Sequence, residues 1–152
     1  MRSSLADIRR EYSLAGLSRA DLSPDPIQQF ELWFDDAVRA QVLEPSAMSL
    51  ATVGPQGQPS ARTVLLKGLD ARGFLFFTNY RSRKGRELEA NPRVALLVYW
   101  RELERQVTIR GAASKVPREE SVDQPVPLLL RLPGNGNRFN LYNGAPLPKQ
   151  EH

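Results

Sequence analysis

Residues 47–78, AMSLATVGPQGQPSARTVLLKGLDARGFLFFT, decide the fold, because they hold three short apolar runs separated by two turns. The turns, GPQG at 54–57 and DARG at 70–73, are rich in glycine, proline and aspartate, which favour tight turns. Runs of this length with β-branched and aromatic residues indicate strands rather than helices. We therefore predict strands at 47–53, 59–67 and 74–78.

The flanking sequence continues this pattern. Asp25 followed by Pro26 predicts a helix start, and apolar residues at helical spacing carry that helix to Val42. On the other side, a short helix precedes two more strands, and these elements cover 83–90, 93–100 and 105–116. Several short strands with tight turns and little helix predict a mainly β (α+β) chain built around a closed antiparallel barrel.

The composition restricts the chemistry that the chain can perform. The 152 residues are enough for one domain and include no cysteine and a single histidine, His152. This excludes disulfides, thiolate nucleophiles and cysteine-ligated zinc, and it argues against a histidine metal site or a Ser–His pair. We expect no metal and, if the chain is an enzyme, a cofactor that supplies the chemistry. No apolar run reaches membrane-spanning length and the N-terminus lacks an apolar signal core, so we expect a cytoplasmic protein.

Positive charge is concentrated in the middle of the chain. The formal net charge is +4, and residues 62–110 contain eleven Lys/Arg against five Asp/Glu, whereas the rest contains ten against twelve. This distribution suggests an anionic partner. A functional anion site and a solvated basic face both explain it.

The segment RTVLLK at 62–67 has a cation at each end and apolar residues between them. Because side chains alternate along a strand, one face carries Arg62, Val64 and Leu66, and the other carries Thr63, Leu65 and Lys67. Such a strand can border a ligand that is part anionic and part aromatic. A plain sheet strand with solvated ends is the alternative interpretation.

Two further clusters carry polar groups of interest. Residues 79–84, NYRSRK, precede the predicted short helix, whose first N–H groups and partial positive charge favour phosphate. Ser82 can cap this helix, and Arg83 and Lys84 add positive charge. The segment therefore fits two interpretations, a phosphate site and an ordinary basic helix start. Gln106, in the last predicted strand, offers a donor and an acceptor, which suits the edge of an isoalloxazine ring.

In this order and with these spacings, the clusters resemble the pyridoxamine 5′-phosphate oxidase family over roughly residues 5–122. The matching segments are Arg9-Arg10-Glu11-Tyr12, Asp25-Pro26, Arg62-Thr63-Val64-Leu65-Leu66-Lys67, Phe77-Thr78-Asn79, Ser82-Arg83-Lys84, Asn91-Pro92-Arg93 and Leu103-Glu104-Arg105-Gln106-Val107. The resemblance implies an FMN-binding antiparallel split β-barrel with flanking helices.

The resemblance also implies contacts for individual residues. FMN would be bound by Arg62, Thr63, Val64, Leu65, Leu66, Lys67, Phe77, Thr78, Arg83, Lys84 and Gln106. Within this set, Arg62, Arg83 and Lys84 would converge on the FMN phosphate. The substrate would be bound by Arg9, Tyr12 and Lys67. No catalytic residue is assigned.

The implied reaction is the oxidation of pyridoxamine or pyridoxine 5′-phosphate to pyridoxal 5′-phosphate, with hydride passing to the flavin and dioxygen as acceptor. The implied assembly is a homodimer with FMN at the subunit interface, without nucleic-acid or membrane partners. A small basic nucleic-acid-binding barrel is the alternative from another class. Against it, five aromatic residues lie in strongly apolar runs typical of a core, namely Phe74, Phe76, Phe77, Tyr99 and Trp100.

The chain changes character near Asp123. The run QPVP at 124–127 breaks any regular element, and residues 131–152 show neither helical nor strand periodicity. We therefore divide the chain into an N-terminal arm at 1–23, an FMN-binding domain at 24–122 and an atypical, poorly ordered tail at 123–152. The tail lacks the family's later substrate-binding motifs. A frameshift near Asp123 and a natural short relative both explain this, and an FMN- or B6-phosphate-binding protein with little turnover is the alternative function.

Overall fold

The computed structural model describes residues 19–78, 87–88, 90–115, 126–131 and 139–143. Within them, one long helix and seven strands are joined by turns and short loops. Their bounds are α1 Pro26–Arg39, β1 Ala47–Val53, β2 Pro59–Asp70, β3 Gly73–Thr78, β4 Arg93–Trp100, β5 Arg105–Lys115, β6 Val126–Arg131 and β7 Phe139–Asn143. Short 3-10 turns cover Arg19–Asp21 and Arg101–Leu103, and Glu87, Leu88 and Ala90 are helical.

Six of the strands form a ring of antiparallel pairs, in the order β1, β2, β3, β6, β5, β4 and back to β1. The long strand β5 pairs along one edge with β4, through residues 105–112. Its other edge meets β7 at 105–109 and β6 at 112–115. One edge of β5 is therefore divided between two partners. This architecture is the antiparallel split β-barrel that the family resemblance implied.

The helix α1 starts where the sequence predicted and ends earlier. Asp25 is its N-cap and Pro26 its first residue. At the other end, Gln41 adopts a left-handed conformation with φ 56°, and the N–H groups of Gln41 and Val42 donate to carbonyls of the last helical turn at 3.0 Å. This Schellman closure terminates the helix at Arg39. Val42 is consequently buried from a loop rather than from the helix.

An aromatic cluster joins α1 to the barrel. The ring centroid of Phe30 in α1 lies 5.0 Å from that of Phe74 in β3 and 5.4 Å from that of Trp100 in β4. All three side chains are at most 1% exposed, so the cluster buries a large apolar area. The Trp100 indole N–H donates to the carbonyl of Pro45 at 3.0 Å, which satisfies its single polar group. These contacts fix the helix against two strands that are distant in sequence.

Two strands lie in the segment for which we predicted no regular element. β6 pairs with β3 along its whole length and with the end of β5, and β7 pairs with the first half of β5. The prediction is wrong for these two stretches, because β3 and β5 offer unpaired backbone groups that a strand of almost any pattern can satisfy. Pro127 is tolerated in β6 because it pairs with β3 alone, whereas β5 pairs only with 128–131.

Candidate functional site

The central segment of β2 divides its side chains between two faces, as predicted. Val64 points inward and is 6% exposed, and Leu66 packs against the core from the same face. Thr63 and Leu65 are exposed on the opposite face. Because the Val64 side chain is buried in the core, this residue can contact a ligand only through its main chain.

The outer faces of β2, β1, β4 and β5 form one continuous surface. The strand registers place Thr63 opposite Ser49, Ser49 opposite Leu97, and Leu97 opposite Thr108. Gln106 lies two residues from Thr108 and therefore on the same face of β5. We call this surface the outer sheet face, and it comprises Ser49, Thr63, Leu65, Leu97, Tyr99, Gln106 and Thr108.

Large apolar side chains of the outer sheet face are in contact with solvent. Leu65 is 40%, Leu97 37% and Tyr99 48% exposed. We predicted a core position for Tyr99, and this is wrong because the alternation of β4 places it outward, opposite Gln106. The sequence of β4 is apolar on both faces and hides this difference. An apolar surface that also carries an amide and a hydroxyl can bind a planar aromatic ligand or another protein surface.

A network of polar side chains lies near the turn that joins β1 to β2. Arg62 donates from Nη2 to Glu87 Oε2 at 3.2 Å and from Nη1 to Thr52 Oγ1 at 2.7 Å. The Thr52 hydroxyl in turn donates to Glu87 Oε2, and the Ser60 hydroxyl donates to Glu87 Oε1 at 3.3 Å. Arg62 Nη1 also donates to the carbonyl of Leu50 at 3.2 Å. We call Thr52, Ser60, Arg62 and Glu87 the polar network.

The polar network holds a buried carboxylate in its charged form. Glu87 is 3% exposed. The hydrogen bond from the Thr52 hydroxyl, followed by those from Arg62 and Ser60, holds the pKa of Glu87 below its usual value, although burial opposes the shift. Arg62, which the resemblance places near a phosphate, therefore has its charge balanced by a carboxylate from another element.

Sequence reasoning missed Thr52 and Glu87 as candidate site residues. Thr52 follows Met48 and Leu50 at an inward position of β1, where an apolar residue is expected, and it is 1% exposed. A polar residue at a core position needs a partner, and this was the available signal. Glu87 had no comparable signal, because a glutamate in a short helix is ordinary.

Lys67 has surroundings different from those of Arg62. The two side chains start on opposite faces of β2, and Lys67 itself lies in the bulge between Leu66 and Gly68. Lys67 borders a cleft of about 210 Å³ between α1 and β2, lined by Phe30, Glu31, Phe34, Asp35, Leu66, Lys67, Gly68 and Leu69. The structure therefore does not bring the two cations of the 62–67 segment together.

Several predicted site residues lie outside the described residues. These are Arg9, Tyr12, Arg83 and Lys84, and the convergence of Arg62, Arg83 and Lys84 on one phosphate stays a prediction. At the end of β3, Phe77 is half-buried and pairs with Pro127, and Thr78 pairs through its backbone with Val126.

A second arginine–carboxylate pair joins α1 to the start of β5, next to Gln106. Arg105 Nη1 donates to Asp36 Oδ2 at 2.8 Å, and the guanidinium lies 4.8 Å from the ring centroid of Trp33. The hydrogen bond from Arg105, with a further contribution from Arg39, holds the pKa of Asp36 below its usual value. We call Trp33, Asp36 and Arg105 the helix–strand junction.

In the described part of the chain, no helix has the length and apolar character needed to cross a membrane. The same residues contain no group of three or more histidine, aspartate or glutamate side chains that could hold a metal ion.

The fold is similar to solved structures of proteins with different ligands. PhzG from Burkholderia lata 383, in complex with tetrahydrophenazine-1-carboxylic acid, has a TM-score of 0.69 at 23% sequence identity, over 82% of this chain and 95% of PhzG. A pyridoxamine 5′-phosphate oxidase-related, FMN-binding protein from Nostoc punctiforme has a TM-score of 0.55 at 24% identity, over 66% and 52%. The heme storage protein HutZ from Vibrio cholerae has a TM-score of 0.53 at 19% identity, over 69% and 93%. At these identities the similarity establishes the fold alone.

Relatives at higher sequence identity share one name. A pyridoxine/pyridoxamine 5′-phosphate oxidase from Rubrobacter xylanophilus is 62% identical over 120 residues, which are 79% of this chain and 55% of the relative. The enzyme of the same name from Cupriavidus metallidurans is 62% identical over 117 residues, again 55% of its length. This chain therefore spans about half the length of the curated relatives it matches.

The sequence model of the family described as pyridoxamine 5′-phosphate oxidase matches residues 34–131. The match runs from the middle of α1 to the end of β6, and so extends past residue 122, where the resemblance seen in the sequence stopped. It covers the elements that build the split barrel and the outer sheet face. The chain belongs to the pyridoxamine 5′-phosphate oxidase family.

Proposed function

We propose that this chain binds FMN and acts in the oxidation of pyridoxamine or pyridoxine 5′-phosphate to pyridoxal 5′-phosphate, with dioxygen as electron acceptor. Relatives that are 62% identical carry the name of this activity. The observation that carries the proposal is the outer sheet face, where Thr63 and Leu65 of β2 share one exposed surface with Gln106 of β5. The reaction belongs to vitamin B6 metabolism, and we place it in the cytoplasm.

The donor set of the outer sheet face fits the ring system of FMN. Gln106 offers an amide that both donates and accepts, and Thr63 offers a hydroxyl. Leu65 and Tyr99 provide exposed apolar surface for the ring. When bound, FMN supplies the two-electron redox chemistry that the protein side chains lack. The chain's own residues bind and orient the ring and exclude water from it.

The phosphate of FMN requires cations beside the ring site. We propose Arg83 and Lys84 for this role, together with Arg62. Lys84 precedes Glu87 by three residues in the sequence, and the Glu87 carboxylate contacts Arg62.

We propose that the remaining residues contact the substrate and the edge of the flavin. Lys67, exposed at the cleft between α1 and β2, would bind the phosphate of the vitamer as a point charge, with Arg9 and Tyr12. Phe77 and Thr78 would contact the flavin from the end of β3. The main chain of Val64 and Leu66 would complete the lining, because their side chains face the core.

We further propose that the functional unit is a homodimer with FMN at the subunit interface. Leu65, Leu97 and Tyr99 expose a contiguous apolar surface, and a second copy of the chain would bury it. The same surface carries Gln106 and Thr63, so closing the dimer would also enclose the ring site.

An FMN titration followed by a turnover assay tests the proposal. We expect quenching of flavin fluorescence at saturable FMN concentrations, and peroxide release when pyridoxamine 5′-phosphate is added to the loaded dimer. The double variant Arg83→Ala/Lys84→Ala should bind FMN far more weakly, and the exposed Arg39→Ala should bind it normally. Gln106→Leu should alter the flavin absorption spectrum. A chain that binds no FMN at all contradicts the proposal.

A second candidate is an FMN- or B6-phosphate-binding protein with little turnover. The observation that favours it is the length of the chain, which spans about 55% of its relatives. The same titration separates the two candidates: saturable FMN binding without peroxide release supports the binding protein.

The nucleic-acid-binding barrel has less support. Phe74, Phe76 and Trp100 are at most 1% exposed, so they cannot stack on bases. Tyr99 alone among the aromatics of β4 is exposed. Steeply salt-dependent DNA binding by a chain that takes up no FMN would revive this alternative.

A further inference from the structure

The polar network contains a carboxylate for which the proposed reaction has no direct use. We propose that Glu87 is a positioning residue for the phosphate end of the FMN site, acting through Arg62 with Thr52 as the link. This inference rests on the proposed function, since it names what orients one of the cations of that site.

The hydrogen bonds of the polar network run in one direction, from Arg62 through Thr52 to Glu87. Arg62 donates to the Thr52 hydroxyl at 2.7 Å, and that hydroxyl has its own proton to donate to Glu87. Arginine carries only donors, so Thr52 accepts from Arg62 and its single hydroxyl proton is left for Glu87. The Glu87 carboxylate therefore accepts from both Thr52 and Arg62 and holds the hydroxyl and the guanidinium in one arrangement.

These hydrogen bonds also fix the orientation of the Arg62 guanidinium. Leu50, Thr52 and Glu87 supply three acceptors, to which Nη1 donates twice and Nη2 once. A planar group held at three points has a fixed plane. Among the described residues, no acceptor meets the two other N–H donors of Arg62, so they are available to a phosphate oxygen.

Glu87 joins a helical turn to the two strands of the polar network. Its side chain contacts β1 and β2, and its carbonyl accepts from the N–H of Asn91 at 2.8 Å as part of a helical turn. Arg83 and Lys84 precede Glu87 by four and three residues in the sequence. One buried carboxylate thus fastens Glu87 and the helical turn that follows it to the strand that carries Arg62.

The test compares two flavins in Glu87→Gln, a variant that keeps the shape of the side chain and removes its charge. FMN and riboflavin differ by the phosphate, so the ratio of their dissociation constants isolates the phosphate site. We expect FMN binding to weaken about tenfold, the loss typical of one charge-assisted hydrogen bond, while riboflavin binding stays unchanged. If Glu87 had a merely structural role, the variant would weaken the binding of both flavins alike.

Variants of Thr52 provide a second test that does not alter any charge. Thr52→Ser keeps the hydroxyl, and we expect the wild-type ratio of the two dissociation constants. Thr52→Val removes it, and we expect the ratio of the FMN to the riboflavin dissociation constant to rise, as in Glu87→Gln. This test decides the question if Glu87→Gln does not fold.

Asp36→Asn is the matched control, because it removes the carboxylate charge from the other arginine pair. We expect it to leave the ratio of the FMN and riboflavin dissociation constants unchanged. The inference is overturned if Glu87→Gln, or Thr52→Val in its place, binds FMN as tightly as the wild type or more tightly, or loses both flavins equally. If the wild-type chain binds neither flavin, the proposed function itself fails and this inference falls with it.

Discussion

The polar network and the helix–strand junction both contain an arginine paired with a carboxylate, yet their environments differ. The two arginines are equally covered, with 23% of the Arg62 side chain and 21% of the Arg105 side chain exposed. The carboxylates differ, since 4% of Glu87 and 33% of Asp36 is exposed. Hydroxyl groups of β1 and β2 contact the Glu87 carboxylate, whereas the Asp36 carboxylate is open to solvent and also pairs with Arg39.

This difference indicates different roles. A carboxylate that water can reach needs little help from its partner, and such a pair contributes modestly to stability. A buried carboxylate must have its hydrogen bonds satisfied, so the groups around it are held in one arrangement. The polar network is therefore suited to fixing geometry, and the helix–strand junction is suited to joining α1 to β5.

The largest effect is expected for Trp33→Ala, which removes the ring beneath Arg105. Trp33 is 5% exposed, so the variant leaves a cavity as well as an uncovered guanidinium, and we expect a loss of about 3–5 kcal/mol in the free energy of unfolding. Urea denaturation measures it. Leu32→Ala, on the exposed side of the same helix, is the control and should lose less than about 0.5 kcal/mol. Similar losses in both variants would contradict the burial of Trp33 and the exposure of Leu32.

Arg62→Lys should have the next largest effect. A lysine keeps the charge but cannot donate to three acceptors in one plane, so we expect a loss of about 1–2 kcal/mol in the free energy of unfolding. The loss should be accompanied by weaker FMN binding and unchanged riboflavin binding. Wild-type stability in this variant would show that the planar arrangement is unimportant.

Asp36→Asn should have a smaller effect on stability. The carboxylate is one-third exposed, and exposed pairs typically contribute about 0.2–1 kcal/mol, so we expect a loss within that range. Thermal or urea unfolding at neutral pH measures it. A loss as large as that of Trp33→Ala would mean that the charge, rather than the ring, holds the helix–strand junction together.

The smallest effect is expected in the pH dependence. Asp36 and Glu87 both have a pKa below the usual value in the folded chain. At a pH near these pKa values, the folded state therefore binds fewer protons than the unfolded state. The stability they contribute is present above their ordinary pKa of about 4 and is lost as the pH falls through the lowered values. Urea midpoints should therefore decrease below about pH 4 and decrease less steeply in Asp36→Asn and Glu87→Gln. Equal slopes in all three chains would contradict these pKa directions.

Local pattern was sufficient for much of the barrel. The strand at 93–100 was predicted with the bounds that the structure shows, because apolar residues of high β-propensity end at a turn on both sides. β2 extends past the predicted residue 67 to Asp70, because the bulge after Leu66 allows the strand to continue pairing with β3. The end of α1 was missed because Gln41 has no intrinsic preference for a left-handed conformation.

The sequence identified the residues of the outer sheet face and of the polar network unevenly. Thr63, Leu65 and Gln106 were named from their motifs, and the strand registers then placed them on one surface. Glu87 was not named, because its burial depends on β1 and β2 lying beside it.

The order of turns and apolar runs in this chain was enough to specify an antiparallel barrel and its helix, because hydrogen bonding and side-chain alternation act between neighbours along the chain. The pairing of β6 and β7, the exposure of Tyr99 and the burial of Glu87 were decided only by the assembled fold. Each depends on which backbone edge or side chain from a distant part of the chain lies alongside, and no local pattern contains that information.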